Sequence, residues 1–558
     1  MSNARTIADL AAVTATATEL NALDGITSNV TELNALDGIT SNVTELNLLD
    51  GSTANTVVNS KTVVYGSSGE IAATSYTGDG SALSGIESSP TLTATASGAL
   101  ANGDTIIVNS NGTVSAVSGA AEAVGSEVKF SGAISIADHV AAVYDTNSNK
   151  VVVVYRDTYN SNQGRGVVGT VSGTSISFGS PASFDNSSPT QMSICFDEDT
   201  NQVVVCYADT GDSGKGKACL GSISGTSISW QSPVEFESGS VANTRTACTY
   251  DTSKDAIMVV YRDSGNSNYF SANWGVVSGT TLTFYTPRVV TSEACSQFTA
   301  AYIPDGNGSY VAFKNPASAG KVYRGTGISD GTNSRWSWGG QVTFESGTMD
   351  NPCLVSIGGG AAVCAWMEDN NYGTAAVFSG TSISVGTQLR FDSTGNASTF
   401  THSGIAYDTN AGKVVITYDN NDVGKAVALE VSGTTLLSAT PFDFDSSEVN
   451  YTAPVYDPDT QKVIINYQSG GSSGESRVYT TPSTNLTTEN YIGISNGAYS
   501  DTATATIQLI GSVDDAQSGL TAGQAYYVLN DGSLGTTAAQ PSVFAGTAVS
   551  ATKIIVKG

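Results

Sequence analysis

Charge is scarce in this chain, and positive charge is scarcest. Only 13% of the 558 residues are charged, with 23 Lys and Arg against 50 Asp and Glu. The formal net charge of −27 opposes association with nucleic acid and with anionic membrane surfaces. Its plainest reading is solubility, or adaptation to salty surroundings that screen charge. Histidine occurs twice, at His139 and His402. Seven cysteines lie between Cys195 and Cys364, an odd number without a CxxC pair. That spacing suits neither a zinc site nor a disulfide framework, so buried free thiols are expected. Cys195 and Cys206 flank one hairpin and could face each other. No apolar run reaches the roughly 18 residues of a spanning helix. The first twenty residues lack the apolar stretch of a signal peptide. The chain is therefore expected to be made in a cytoplasm, not to leave by the general secretory route, and not to insert in a membrane.

What is abundant is Gly, Ser, Thr, Asn, Asp, Ala and Val. Val and Thr favour strands, and the others favour turns. This is an all-β composition with many tight turns. The length exceeds one hydrophobic core, so three or four units are expected.

The N-terminal region repeats every 13 residues: TELNALDGITSNV at Thr18 to Val30, again at Thr31 to Val43, then TELNLLDG at Thr44 to Gly51. Two Leu three apart, followed by Asp-Gly, read as one helical turn stopped by a glycine. So small a unit cannot bury its own leucines, which must meet other copies or other chains. Several identical strands winding together satisfy them, and a trimer is the preferred number.

A second repeat, near 50 residues long, begins at about residue 132. Its core is an apolar strand ending in Tyr/Phe-Asp, a polar turn, then a Val-rich strand ending in an aromatic. Clear copies are AAVYDTNSNKVVVVYRD (Ala141 to Asp157), SICFDEDTNQVVVCYAD (Ser193 to Asp209), ACTYDTSKDAIMVVYRD (Ala247 to Asp263), GIAYDTNAGKVVITYDN (Gly404 to Asn420) and APVYDPDTQKVIINYQS (Ala453 to Ser469). Degenerate copies are Ala300 to Asn315 and Cys353 to Asp369. Each is a hairpin by pattern, and most continue into a second hairpin turning at Ser-Gly-Thr. Four short antiparallel strands at this spacing predict a seven-bladed β-propeller over 124–485.

The outer strand of each repeat ends in SPASFD, SPVEFE, GQVTFE, GTQLRFD or TPFDFD, with TPRVV a weaker copy. The seventh repeat lacks this strand. GSEVKFSG at Gly125 to Gly132 supplies it, so Val128 to Phe130 are expected to complete the last blade. The chain then enters and leaves at one blade. Residues 90–123 and 486–558, both strand-like, are expected to form one discontinuous β-domain into which the propeller is inserted.

His139 and His402 both lie six residues before the hairpin Asp, and Gln191, Arg245 and Tyr451 share that register. The position starts the innermost strand. Loops between second and third strands open on the same face and carry Arg156, Asp157, Asp209, Arg262, Asp263, Lys314, Asp419 and Asp422, with Tyr159, Tyr269 and Tyr372. Planar hydrogen-bonding groups among aromatic faces suit a carbohydrate or protein receptor. Ordinary solvated loop residues are the plainer alternative. No GxSxG occurs, and two histidines in different blades make no triad. The Ser-Gly-Thr turns lack the Asp and central Gly of a sialidase Asp-box. A carboxylate pair among the face acids stays open as a route to glycoside hydrolysis. DEDTNQ and DPDTQK complete no EF-hand loop, and turn capping accounts for them better than calcium. No cofactor and no metal are expected, and the chain is read as not an enzyme.

The TELNALDG repeats and the TGDGSALSGI segment that follows resemble bacteriophage tail fibres, particularly those of phages infecting marine cyanobacteria. The GDGS stretch lacks the Lys-Ser/Thr of a phosphate loop. The resemblance covers roughly residues 1–90. It implies a trimeric fibre, with residues 1–17 held by other tail or capsid proteins of the virion and 18–89 as a stalk. The far end would face a host glycan or protein receptor, on a virion assembled in the host cytoplasm and displayed outside it. An architectural virion decoration and a tailspike-like depolymerase are the alternatives. The C-terminal segment GLTAGQAYYVLNDGSL…AGTAVSATKIIVKG resembles small β modules near phage fibre tips.

Overall fold

The computed structural model describes residues 16, 18, 31, 40–48, 50–52, 90–131, 137–241, 245–306, 308–328, 335–394, 403–470, 473–538 and 541–557. The chain divides into two units, Met1–Ser88 and Ser89–Gly558. In the first, the third copy of the 13-residue repeat is a single helical turn, Val43–Asn47. Asn42 caps it, accepting from the amides of Thr44 (2.9 Å) and Glu45 (3.0 Å), while the Glu45 carboxylate accepts from the Asn42 amide at 2.8 Å. Gly51 stops the turn at φ 75°. Most of the two earlier copies lies outside the described residues.

The second unit is nearly all β. Seven antiparallel sheets of five strands follow one another. Sheet 1 comprises Ala137–Asp145, Lys150–Asp157, Gln163–Ser172, Ser175–Phe178 and Ala182–Asp185. The last two strands both pair with the third, as two halves of one outer strand broken by a bend. Sheets 2 to 7 open with Pro189–Asp197, Ala247–Asp251, Ser296–Ile303, Asp350–Gly358, Gly404–Asp408 and Val449–Asp457. These first strands neighbour one another in sequence order, and that of sheet 7 neighbours that of sheet 1. Apolar cores fill the spaces between successive sheets, and one core joins sheet 7 to sheet 1 through Val455, Ile464, Val478, Val151 and Val153. The arrangement is propeller-like.

The turn acids hold the hairpins. Asp197 is 1% exposed and accepts from the amides of Asp199 and Thr200, both at 3.1 Å. Asp145, Asp408 and Asp457 do the same in their sheets. Each bond replaces a backbone donor's water.

The Phe-Asp ending of the outer strand proves to be a joint between sheets. Phe184 packs at a tilt on Tyr207 of the next sheet at 5.4 Å, Phe236 likewise on Tyr261 at 5.3 Å, and Phe444 edge-on to Tyr467 at 5.3 Å. The acid after the Phe takes the phenol's proton donor: Tyr207 donates to Asp185 at 2.5 Å, Tyr261 to Glu237 at 2.9 Å and Tyr467 to Asp445 at 2.7 Å. Beneath each Phe lies a third-strand glycine. A Cβ on Gly216 would sit 2.4 Å from Phe236. Each such ring pair contributes about 0.5–1.5 kcal/mol beyond its buried area. Sheet 3 departs from the pattern. Its third strand carries Phe270 where the others have Gly, its outer strand has Val290 for Phe, and Phe270 packs on Phe313 at 5.2 Å. The bulk has changed strands while the joint stays filled.

Sheet 7 takes its outer strand from the other side of the chain's insertion. Val128 and Lys129 pair with Ser476 and Glu475, and Ala123 and Val124 with Thr480 and Tyr479. Phe130 makes the same joint as its counterparts, on Tyr155 at 5.3 Å and over Gly474. The flanking segments do meet. Thr91–Thr95, Thr504–Gln508, Tyr491–Ser495, Thr105–Val108 and Val114–Ala116 form one sheet, and Gly119–Ala120 pairs with Ser483–Thr484. A second small sheet lies within 513–556.

Candidate functional site

The strand pairing fixes which residues share an end. In sheet 1 Asp138 lies opposite Arg156, and in sheet 4 Ser296 lies opposite Lys314. The start of each first strand and the loop between second and third strands therefore open on one side, as the sequence register implies. Thr480 and its partner Ala123 lie at the other end of sheet 7, beside Lys462 rather than Ser469. The candidate face thus points away from the segments leading to the two small sheets.

At the start of the first strands the register slips. A β-bulge interrupts the pairing between Asp138 and Ala141, Thr190 and Ser193, Ser296 and Thr299, Asp350 and Cys353, and Asn450 and Ala453. Each bulge holds a non-glycine residue in the left-handed region: His139 at φ 50°, Gln191 at 56°, Gln297 at 55°, Asn351 at 48° and Tyr451 at 51°. Such a conformation costs roughly 1–3 kcal/mol per residue. Bonds between neighbouring sheets offset it. The Gln191 carbonyl accepts from the Thr246 hydroxyl at 2.8 Å, and the Asn351 carbonyl from Ser403 at 2.9 Å. The Asn351 amide donates to the Gln297 side chain at 2.6 Å. The rings of His139 and Tyr451 lie 4.9 Å apart.

The first strands of all seven sheets converge on a cavity of about 190 Å³, lined among others by Arg245, Ser193, Thr246, Cys353 and Ser403. Burial drives the His139 imidazole down to about 4, against the pull of Asp138 and with help from Arg156 and Arg245. The ring is neutral above that pH. Burial also lowers Arg245 and raises Tyr451.

The loop residues divide by what they touch. Asp157, 1% exposed, accepts from the Asn160 amide at 3.1 Å and pairs with Arg165 at 3.0 Å. Asp209, fully buried, accepts from Gly211 and pairs with Lys217 at 2.7 Å. Asp419, 2% exposed, accepts from the Val449 amide at 3.0 Å and from Asp422. These oxygens are engaged by loop amides, third-strand cations and, for Asp419, the next sheet, rather than turned to solvent. Arg156 grips Asp138 with a two-pronged fork, and Lys314 pairs with Asp350 at 2.6 Å. Asp263 is half-buried, and its carboxyl is raised by burial and by Glu237. Arg262 is half-buried near Cys295. Tyr159 stands open at 62% exposure, Tyr269 is half-buried, and Tyr372 carries the Arg390 guanidinium over its ring at 4.9 Å. His402 lies outside the described residues.

Sequence counting missed Gln297 and Asn351. They occupy the same register as His139, but the hairpin Asp that marks it is Ile303 in sheet 4 and Ile357 in sheet 5. Counting from the alternating strand rather than from the Asp finds them. All seven cysteines are buried and free. Cys195, Cys206 and Cys248 sit together in the core between sheets 2 and 3.

No family model matches the chain, and no curated protein is similar to it in sequence. Solved structures are similar in fold. The BP39L lectin from Burkholderia pseudomallei aligns with a TM-score of 0.45 at 12% identity, over 63% of this chain and 98% of its own. The Cps50 (Swd1) β-propeller domain of Myceliophteria thermophila aligns at 0.43 and 9%, over 64% and 99%. The NanB sialidase of Streptococcus pneumoniae aligns at 0.38 and 9%, over 62% and 68%. At these distances nothing of what those proteins bind or cleave passes to this chain, whose described second unit is read from its own strands as a propeller-like all-β protein.

Proposed function

We propose that the chain is a bacteriophage virion fibre protein that recognises a host surface glycan, or a surface protein, through one face of a closed seven-bladed propeller. In this reading 124–485 is the propeller, inserted in a β-domain of 90–123 and 486–558. Residues 18–89 are a trimeric stalk, and 1–17 attach to other tail or capsid proteins. The fibre resemblance of the first 90 residues supports the virion setting. The observation that carries the recognition role is the ring of bulges around the central cavity. Five strained polar or aromatic residues lie one or two positions before residues of its lining, on the face turned away from the small sheets. Strain of this kind is kept where a site requires it, and loops on a rigid scaffold supply the rim.

Binding is favoured over hydrolysis because the oxygens of Asp157 and Asp209 are taken by amides of their own loops and by Arg165 and Lys217, and those of Asp419 by Asp422 and by Val449 of the next sheet. An architectural role is the second reading. The inter-sheet bonds of Gln191, Asn351 and Gln297 favour it, since they would hold the ring without any ligand. Incubation of the full chain with purified host-surface polysaccharide separates the three. Saturable binding with unchanged polymer length is expected. Shortened polymer would identify a depolymerase, and absence of binding to any host fraction would leave the architectural role.

A further inference from the structure

Four cations of the candidate face are held by described carboxylates. Arg156 is held by Asp138, Lys314 by Asp350, Arg165 by Asp157 and Lys217 by Asp209. Arg245 forms no ion pair with any described carboxylate. It lies in the central cavity, where the first strands of all seven sheets converge. The groups that act on it are Cys353 and Tyr451. Neither supplies a negative charge near neutral pH, because burial pushes the Cys353 thiol up to about 11 and raises the Tyr451 phenol. Arg245 is half-buried in a hub lined by Ser193, Thr246 and Ser403, and a guanidinium held there without a counter-charge gives up part of its hydration. An anion entering the cavity would replace that hydration.

The chemistry selects the anion. One cation matches one negative charge, whereas a phosphate dianion calls for more. The planar fork of a guanidinium fits a carboxylate with two parallel hydrogen bonds. The cavity of about 190 Å³ has room for roughly six waters, so a carboxylate with the start of its carbon frame fits. Gln191, Asn351, His139 and Tyr451, each one or two positions before a residue of the cavity lining, place amide and aromatic side chains near its mouth, whereas the Gln297 amide is spent on Asp350 and Asn351.

We infer that the hub cavity is a carboxylate-binding site anchored by Arg245, and that its occupant is an acidic sugar of a surface polysaccharide. This rests on the glycan-binding reading above, and names the class of glycan.

Calorimetric titration of the full chain tests it. The probes are a glucuronate-containing tetrasaccharide, its carboxyl-reduced neutral counterpart, free glucuronate, free glucuronamide and acetate. Wild type is expected to prefer each acid over its neutral counterpart by at least about tenfold, as for hydrogen bonds to a charged group. Arg245→Gln should abolish that preference, and Arg245→Lys should keep only part of it. Equal binding of acid and neutral forms by wild type would overturn the inference, as would an undiminished preference in a folded Arg245→Gln. The wild-type acid-to-neutral ratio decides the matter even where the variants fail to fold. Acetate bound as tightly as glucuronate would overturn the assignment to a sugar. The two readings fail separately. Host polysaccharide bound equally well by Arg245→Gln removes the hub site and leaves surface recognition. Arg245-dependent binding of free glucuronate without binding of any host polysaccharide removes surface recognition and leaves the hub site.

Discussion

At the scale of single residues, the bulge positions carry most of the chemistry. His139 sits in one of them, with Asp138, Arg156, Arg245 and Tyr451 as its charged and titratable neighbours. Burial and the two arginines outweigh Asp138 and hold the imidazole at about 4, below its ordinary 6.5. The sign of the consequence is fixed by linkage. Between about pH 6.5 and about pH 4 the unfolded chain takes up a proton that the folded chain refuses. His139 therefore subtracts stability progressively as the pH falls through that window. Melting temperatures across the window should decline more steeply for wild type than for His139→Gln. Parallel curves would show that the ring titrates normally and is not held neutral at the mouth.

At the scale of elements, the recurring device is the aromatic joint. A Phe from one outer strand covers a glycine of its own sheet and packs on an aromatic of the next. The closing strand uses the same device, with Phe130 2% exposed against Tyr155 and Phe178. Truncating it removes the joint that seals sheet 7 to sheet 1. Phe130→Ala should cost roughly 3–5 kcal/mol in urea unfolding. Amide exchange should quicken first along Gly474–Thr480, whose outer pairing depends on that strand. A uniform loss of protection across all seven sheets would instead mean that the ring opens nowhere in particular. The helical repeat works by a different local rule. Asn42 and Glu45 close a capping box around one turn, and Gly51 ends it. Nothing in that turn is buried, so its leucines call for partners outside it.

At the scale of the whole molecule, the proposed fibre needs more than one chain. The 13-residue repeats supply leucines at a regular spacing but no core of their own. Sedimentation of the full chain should give the mass of a trimer, and removal of residues 1–89 should return single chains. A full-length monomer would dismiss the trimeric stalk. The net charge of −27 acts at this scale too. It repels an acidic polymer at a distance, while Arg245 attracts a carboxylate at contact. Salt screens the long-range repulsion beyond about 8–10 Å and leaves the recessed contact largely untouched.

Much of this architecture could be read before folding. Alternating Val-rich runs around Asp turns specified hairpins, because side-chain period and turn chemistry are local properties. The repeat's missing outer strand pointed to Val128–Phe130, since Val-Lys-Phe matches the other outer strands in composition. The register of His139, Gln191, Arg245 and Tyr451 followed from counting back from a turn acid. What the sequence could not decide is which way these groups face. Asp157, Asp209 and Asp419 look like surface acids, yet each is drawn inside by amides that only folding presents to it, from its own loop for Asp157 and Asp209 and from the next sheet for Asp419. Gln297 and Asn351 join the mouth although their repeats have lost the landmark acid. The solitude of Arg245 is a property of seven strands meeting at one point, because burial and the absence of a counter-charge arise from packing at distances far apart in sequence.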